Sequence, residues 1–230
     1  MKPRFSNQRT IALTMVEVLV VVAALLIIAA IILPALAMAN RKSNKLGCAS
    51  CLKQIGVTYR VWAGNNGDKY PMQVSVTNGG AMELIATGNV AACFQVMSNE
   101  LNTPKVLICP QDTKRIPATS FSRGFNNDNV SYFVPLNADQ TNPKMLLSGD
   151  DNFAIGGVPV KSGLLQLSTN APIAWSSGRH VLHGSHFWPA RYRFFGYILF
   201  ADGSVQDLTT DDLKKALQRT GVATNRLAIP

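Results

Sequence analysis

The sequence has few of the residues from which enzyme active sites are usually built. Of its 230 residues, 13 are Asp or Glu and three are His. The acidic residues do not follow the ordered alternation of an EF-hand loop, and no nucleophile-elbow motif surrounds Ser176 or Ser177. We therefore predict that the protein is not an enzyme.

The sequence also lacks a basic motif for nucleic acid, although its net charge is +9. The 22 Lys and Arg residues are dispersed along the chain. The nearest groupings are Arg41, Lys42 and Lys45, and Arg191 with Arg193. A solvated basic surface with phospholipid contacts is the simpler interpretation. We expect no nucleic-acid partner.

The three histidines recur every third residue, at His180, His183 and His186. Such spacing is typical of metal-binding tracts. However, Gly178 and Gly184 disfavour a helix that would align the rings, and no acidic residue is close in sequence. We interpret the segment as a loop of solvated histidines, and a metal-dependent enzyme built on them is the alternative.

One long apolar stretch dominates the chain. Val18 to Leu33 contains no polar side chain, and the 27 residues from Leu13 to Ala39 are enough to span a bilayer as a helix. A signal peptide would have a shorter apolar core ending at a clear cleavage site. Glu17 stands directly before the run and requires a cationic partner if it enters hydrocarbon. The alternative is that its carboxylate faces water among the headgroups.

The residues around Glu17 resemble a known leader. Ala12-Leu13-Thr14-Met15-Val16-Glu17 opens the apolar run, and Pro34 lies within it. The preceding basic residues are Lys2, Arg4 and Arg9. This pattern resembles type IV prepilins and the pseudopilins of type II secretion systems, except that the family usually has Gly before the cut and Phe after it. The resemblance implies cleavage between Ala12 and Leu13, N-methylation of Leu13, pairing of Glu17 with an N-terminal amine, and a helix bend at Pro34.

The same resemblance implies a domain organisation. Residues 1–12 would be the leader peptide, 13–39 the transmembrane or filament-core part of the N-terminal helix, 40–64 its spine, and 65–230 the head. The implied location is the inner membrane, crossed once, with the head in the periplasm or, after assembly, in an extracellular or periplasmic filament. The implied partners are a prepilin peptidase, other pilin or pseudopilin subunits, and inner-membrane lipid.

The function expected from the resemblance is that of a filament subunit. The alternative is an uncleaved, single-pass anchored module whose head binds a ligand. Exposed tryptophans in a groove, from among Trp62, Trp175 and Trp188, would favour the module, although core packing is the usual role of this residue.

Beyond the apolar run, the helix is expected to continue as the spine. Apolar residues recur at spacings of three and four from Cys48 to Trp62, and Asn65 to Asp68 should end the helix. The segments Cys48 to Pro71 and Phe200 to Val205 resemble prepilin-like proteins of the planctomycete and verrucomicrobial group, which are similar to the major pseudopilin.

The four cysteines are open to two interpretations. Cys48-x-x-Cys51 with Cys93 and Cys109 could bind zinc, but the last two do not form a close pair. An even number in an exported domain favours disulfides. Because Cys51 and Cys93 look like additions to the family pattern, the resemblance implies the pairs Cys48–Cys109 and Cys51–Cys93.

The fold class predicted is α+β. The long N-terminal helix should pack on a small antiparallel sheet with extended loops, followed by a short C-terminal helix. We predict short helices within Met82 to Met97, a hairpin from Tyr197 to Leu208 with its turn at Asp202-Gly203, and a helix from Asp211 to Thr220 capped by Thr210. The other predicted strands are Lys105 to Ile108, Val130 to Val134 and Met145 to Gly149.

Calcium is the one cofactor that the resemblance suggests, because major pseudopilins often carry this ion in a loop of the head. Asp150, Asp151 and Asn152 are the candidate ligands, since calcium prefers clustered oxygen atoms. Asp and Asn are also frequent in turns, which is the simpler explanation of the segment.

Overall fold

The computed structural model describes residues 14–176, 179–182 and 193–230. The predicted leader and the bond between Ala12 and Leu13 lie outside these residues. The chain divides into two compact units, one ending at Ser43 and the other running from Asn44 to Pro230. The two units are described separately below.

The first unit consists of the N-terminal part of helix α1 (Met15–Gly64). Its residues Met15–Leu36 form the one described helix that is long and apolar enough to cross a membrane, and none of its most apolar window is buried. Pro34 lies inside the helix, where it cannot donate a backbone hydrogen bond. The predicted apolar helix is confirmed.

The remainder of α1 forms the spine of the second unit. The predicted apolar stripe is buried there, at Cys48, Leu52, Ile55, Tyr59 and Trp62. The helix ends at Gly64, and the turn that follows has positive φ angles at Gly67 (65°) and Asp68 (58°). The predicted end of the helix is therefore confirmed.

The main sheet of the second unit is antiparallel. Its strands lie in the order β5 (Gly163–Ser168), β10 (Thr224–Ile229), β1 (Tyr132–Pro135), β2 (Leu146–Asp150), β8 (Arg193–Phe200) and β7 (Val181–Leu182), and β9 (Val205–Thr209) also pairs with β8. In the register of β1 with β2, Tyr132 lies opposite Asp150. The predicted β8–β9 hairpin is confirmed, and Gly203 in its turn has a φ of 77°.

Three further strands form a smaller antiparallel sheet. It consists of β4 (Val158–Pro159), β3 (Phe153–Ile155) and β6 (Ile173–Trp175). These strands have two or three residues each, too few for an alternating pattern to be recognised. This sheet was not predicted.

Short helices precede the strands. α2 (Met82–Ile85), α3 (Val90–Val96) and α4 (Ser98–Leu101) confirm the prediction for Met82 to Met97 and extend slightly beyond it. The predicted strand from Lys105 to Ile108 is wrong, because Pro104–Leu107 forms a 3-10 helix. Pro104 fixes a helical φ at its first position, and the Thr103 hydroxyl accepts a hydrogen bond from the amide of Lys105.

The last helix, α5 (Thr210–Arg219), begins one residue earlier than expected. Its cap is Thr209, whose hydroxyl accepts a hydrogen bond from the amide of Asp212, and not Thr210. Gly221 follows the helix with a φ of 77°. The buried residues of the helix are Leu213, Ala216 and Leu217.

The main sheet separates two apolar clusters. Successive residues of β8 alternate between them, with Leu199 in the cluster that contains α1 and α3, and Ile198 in the cluster that contains β6 and α5. Trp62 and Trp175 are 5% and 4% exposed, so both pack in these cores. Trp188 lies outside the described residues.

Candidate functional site

Two groups of polar residues in the described structure are candidates for function, one in each unit. In the first unit, Glu17 forms a capping box with Thr14. The carboxylate accepts hydrogen bonds from the backbone amide and the hydroxyl of Thr14, both at 2.8 Å, and the Thr14 hydroxyl accepts one from the amide of Glu17 at 3.3 Å. Such a box satisfies the free amides at a helix start. Thr14-x-x-Glu17 before an apolar run is the sequence signal for this capping box.

Among residues 14–43, the described part of the first unit, nothing covers the apolar surface of the helix that follows Glu17. Its exposed side chains include Leu19, Leu26, Ile27 and Leu33, each more than 60% accessible. An apolar surface of this kind is buried in lipid or against other apolar helices. Leu13, whose amine the resemblance pairs with Glu17, lies outside the described residues.

In the second unit, a cluster of buried charges surrounds Arg179, which lies two residues before the start of β7. The guanidinium group lies 2.5 Å from Asp112 and 2.8 Å from Asp151, and its Nη1 lies 3.5 Å from Asp150. It also donates a hydrogen bond to the carbonyl of Ser131 at 2.9 Å. The arginine therefore links the loop after Cys109, the residue directly before β1 and the end of β2.

A second arginine completes this charge cluster. Arg115 lies 2.6 Å from Asp151 and 3.3 Å from Asp112, and donates a hydrogen bond to the carbonyl of Pro230 at 3.0 Å. An open cavity of about 360 Å³ borders the cluster. Because its acidic and basic side chains pair with one another, the wall of this cavity is largely neutralised.

The pKa shifts follow from these contacts. Burial alone raises the pKa of Asp112, but Arg179, the Ser131 hydroxyl and Arg115 outweigh it and hold that pKa below its usual value. Burial likewise lowers the pKa of Arg179, and the three carboxylates of Asp151, Asp150 and Asp112 together raise it above its usual value. Asp112 and Arg179 therefore favour their charged forms in the folded chain.

The calcium candidates belong to this same cluster. Asp150 is the last residue of β2, and Asp150 and Asp151 both face guanidinium groups. The side-chain oxygen and nitrogen of Asn152 have no hydrogen-bond partner among the described residues. A calcium ion at Asp150 and Asp151 would compete with Arg115 and Arg179 for the same carboxylates, and the expectation of such an ion stays a prediction.

His180 is fully buried, so the expectation of a solvated side chain is wrong for this residue. Its ring packs against Phe195 and Tyr197, with centroids 5.1 and 5.2 Å away. Nε2 lies 3.0 Å from a carboxylate oxygen of Asp150, and Nδ1 contacts the side-chain oxygen of Gln111. His183 and His186 lie outside the described residues.

The disulfide Cys48–Cys109 is present, with Cα atoms 5.0 Å apart, which confirms one of the two expected pairs. The pairing of Cys51 with Cys93 is wrong, because both are free. Cys93 contacts the hydroxyl of Tyr59 at 3.3 Å.

Burial determines the ionisation of the two free thiols. It raises the pKa of Cys93 to about 12 and also raises the pKa of Cys51 above its usual value. Both cysteines are therefore neutral thiols at physiological pH. Neither has the low pKa of a reactive cysteine.

Most of the second site was not predicted from the sequence. No sequence motif marks Gln111, Asp112, Arg115 or Arg179. Arg179 is 67 residues from Asp112 in the chain, and no periodic pattern connects them. The sequence signals that were available, the acidic pair at Asp150 and the histidine spacing, pointed to calcium and to a solvated loop instead.

The prepilin resemblance therefore depends on the motifs of the sequence itself, since protein-family models, curated proteins and solved structures provide no match to this chain.

Proposed function

We propose that the protein is a subunit of a pilus-like or type II secretion pseudopilus filament, matured by a prepilin peptidase. The observation that carries this proposal is the helix Met15–Leu36, which is long and apolar enough to cross a membrane and is not buried within the chain. The prepilin-like leader residues from Ala12 to Glu17 support it.

Assembly would bury this helix twice, first in lipid and then against the same helix of neighbouring subunits. Glu17 is the one acidic residue at its start. A carboxylate in this position is stable in an apolar filament core only beside a cation, and an N-terminal amine of an adjacent subunit would provide it. Subunits packed out of register would leave both charges unpaired, so the pair would fix the register.

The Thr14 contacts fit such a role. In the single chain, the hydroxyl and amide of Thr14 satisfy the carboxylate. These neutral donors stabilise an anion less than an ammonium group does. The carboxylate would therefore gain a stronger partner on assembly.

The experiment that tests assembly compares two variants, each of which lacks one carboxylate. We expect Glu17→Ala to fractionate with membranes like the parent chain and to be absent from sheared filaments. The control is Glu83→Ala, since the Glu83 carboxylate also accepts local hydrogen bonds, from Ser75 and Val76, but lies in the second unit. Normal incorporation of the Glu17 variant would refute the proposed mechanism.

A second experiment tests maturation directly. The protein would be recovered from membranes of a host with a prepilin peptidase, and its intact mass and N-terminal sequence determined. We expect the chain to begin at N-methylated Leu13. A chain that still begins at Met1 would contradict the pilin pathway and favour the single-pass anchored binding module.

A further inference from the structure

Three side chains able to bind a metal converge at the base of the spine in the second unit. The sulfur atoms of Cys48 and Cys109 and a ring nitrogen of His180 all lie within 4.8 Å of one another. All three residues are 0% exposed. This group is distinct from the Cys48-x-x-Cys51 pattern of the sequence, because Cys51 is not part of it.

A carboxylate that could complete the ligand set lies beside the histidine. Nε2 of His180 is 3.7 Å from the sulfur of Cys109 and 3.0 Å from a carboxylate oxygen of Asp150. In a tetrahedral zinc site with ordinary bond lengths, a nitrogen lies about 3.6 Å from a sulfur ligand and about 3.4 Å from an oxygen ligand. The two separations from Nε2 therefore lie within a few tenths of an ångström of those in a zinc site. The carboxylate of Asp150 does not belong to the group of atoms within 4.8 Å of one another, so it must move towards the sulfurs to bind the ion, and the two sulfurs must separate to about 3.8 Å once their bond is reduced.

The orientation of His180 also suits a metal. Both ring nitrogens face oxygen acceptors, Nδ1 the amide oxygen of Gln111 and Nε2 the carboxylate of Asp150. A neutral imidazole has one N–H and so can donate to one of them only. With a metal ion bound, the lone pair of Nε2 would bind the ion, and the N–H on Nδ1 would donate a hydrogen bond to Gln111. Histidine ligands of metals usually donate their other N–H in this way.

We propose that, when the Cys48–Cys109 disulfide is reduced, the chain binds one zinc ion through Cys48, Cys109 and His180, with Asp150 as the fourth ligand. Two thiolates, an imidazole and a carboxylate in a buried tetrahedron form a donor set that zinc prefers. Zn²⁺ with two thiolates and one carboxylate has a net charge of −1. Arg179, whose Nη1 lies 3.5 Å from Asp150, offsets that charge.

The disulfide and the zinc site exclude each other. A dithiol reductant supplies two electrons and two protons to the disulfide, is itself oxidised to a disulfide, and leaves Cys48 and Cys109 as thiols. Zn²⁺ then displaces the two thiol protons. A disulfide oxidant reverses the change by accepting two electrons from the thiolates, and the zinc ion leaves. The same two segments of the head are thus linked in both redox states, independently of the proposed filament function.

The first experiment measures zinc in the full-length chain in detergent. The chain would be reduced with a phosphine, incubated with Zn²⁺, desalted, and analysed by atomic emission. We expect one zinc ion per reduced chain and none per oxidised chain. Zinc at background level in the reduced chain would overturn the proposal.

Variants then identify the ligands. His180→Ala should lose zinc to a competing chelator at concentrations at least tenfold lower than the parent chain requires. Cys51→Ser is the matched control, because Cys51 lies one helical turn from Cys48 and should not contribute, so its zinc content should equal that of the parent. Loss of zinc in Cys51→Ser would overturn the assignment in favour of a Cys48-x-x-Cys51 site.

A measurement on the unmutated chain avoids the risk that replacing a buried histidine prevents folding. X-ray absorption of the zinc-loaded, reduced chain should give two sulfur and two nitrogen or oxygen ligands. The absorption spectrum of the cobalt-loaded chain should show thiolate charge-transfer bands and the intense visible bands of a tetrahedral ion. Three or four sulfur ligands, or an octahedral cobalt spectrum, would contradict the proposed ligand set.

Discussion

Arg179 is the residue on which the buried charges of the second unit converge, and Asp112 is its partner in the loop after Cys109. We expect Asp112→Asn to lower the free energy of unfolding by about 2 kcal/mol, because Arg179 and Arg115 each lose a charged partner while they keep their contacts with Asp151. Urea unfolding of the oxidised protein would measure the loss. The control is Lys215→Gln, whose 3.8 Å pair with Asp212 is exposed and whose removal should leave the urea midpoint unchanged.

The Asp112 carboxylate should also make the stability of the fold depend on pH. The folded-state pKa of Asp112 is lowered, so its stabilising contribution is complete above the unfolded pKa of about 3.9 and is lost as pH falls through the folded value. We expect the thermal midpoint of the parent to fall below about pH 4 more steeply than that of Asp112→Asn. Equal slopes in the two proteins would show that this carboxylate does not contribute to the acid sensitivity.

At the scale of elements, Gly56 allows α1 to lie close to β8. A Cβ atom at this position would lie 2.8 Å from a methyl carbon of Leu199, which is fully buried. We expect Gly56→Ala to destabilise the fold by about 1 kcal/mol, because the clash exceeds the gain in helix propensity. Thermal unfolding would measure this change.

Gly64→Ala is the matched control on the same helix, since a Cβ there meets no atom within 4 Å. It should leave the free energy of unfolding within about 0.5 kcal/mol of the parent value. If Gly56→Ala raised the midpoint instead, Leu199 would have room to move, and the close approach of α1 to β8 would not depend on the glycine.

The sequence predicted those elements that carry a local signal. The spine of α1 has helical periodicity, the β8–β9 hairpin has Asp202-Gly203 at its turn, and α5 has acids in its first turn and Gly221 after its end. Strand β10 was missed although it pairs with both β1 and β5. Its position in the sheet depends on contacts with distant strands, and such contacts leave little trace in a short segment.

The two candidate sites also differ in whether a local signal in the sequence reveals them. Glu17 was recognisable because one acid beside an apolar run is a local anomaly. The cluster of Asp112, Asp150 and Arg179 was not, because its members come together only after the sheet forms. Similarly, the disulfide Cys48–Cys109 was expected from the prepilin resemblance, whereas no local signal in the sequence indicates that Cys51 and Cys93 are free thiols.

At the scale of the molecule, the second unit has apolar clusters of its own on both sides of the main sheet. We therefore expect residues 44–230, produced alone in an oxidising compartment, to be a soluble monomer that unfolds in one cooperative transition. Size-exclusion chromatography and circular dichroism would test this, with the full-length chain, which should require detergent, as the comparison. Aggregation of residues 44–230, or gradual unfolding, would contradict the prediction.

The disulfide also determines how a pulling force would pass through the second unit. Cys48 and Cys109 are 61 residues apart in sequence, and Cys48 lies only four residues after the second unit begins. If the two ends of the chain are pulled apart, the load crosses from Cys48 to Cys109 through the sulfur bond and bypasses the intervening segment, including the rest of the spine. That segment holds about 200 Å of extensible chain. In single-molecule stretching, the oxidised protein should therefore extend by about 200 Å less than the reduced one.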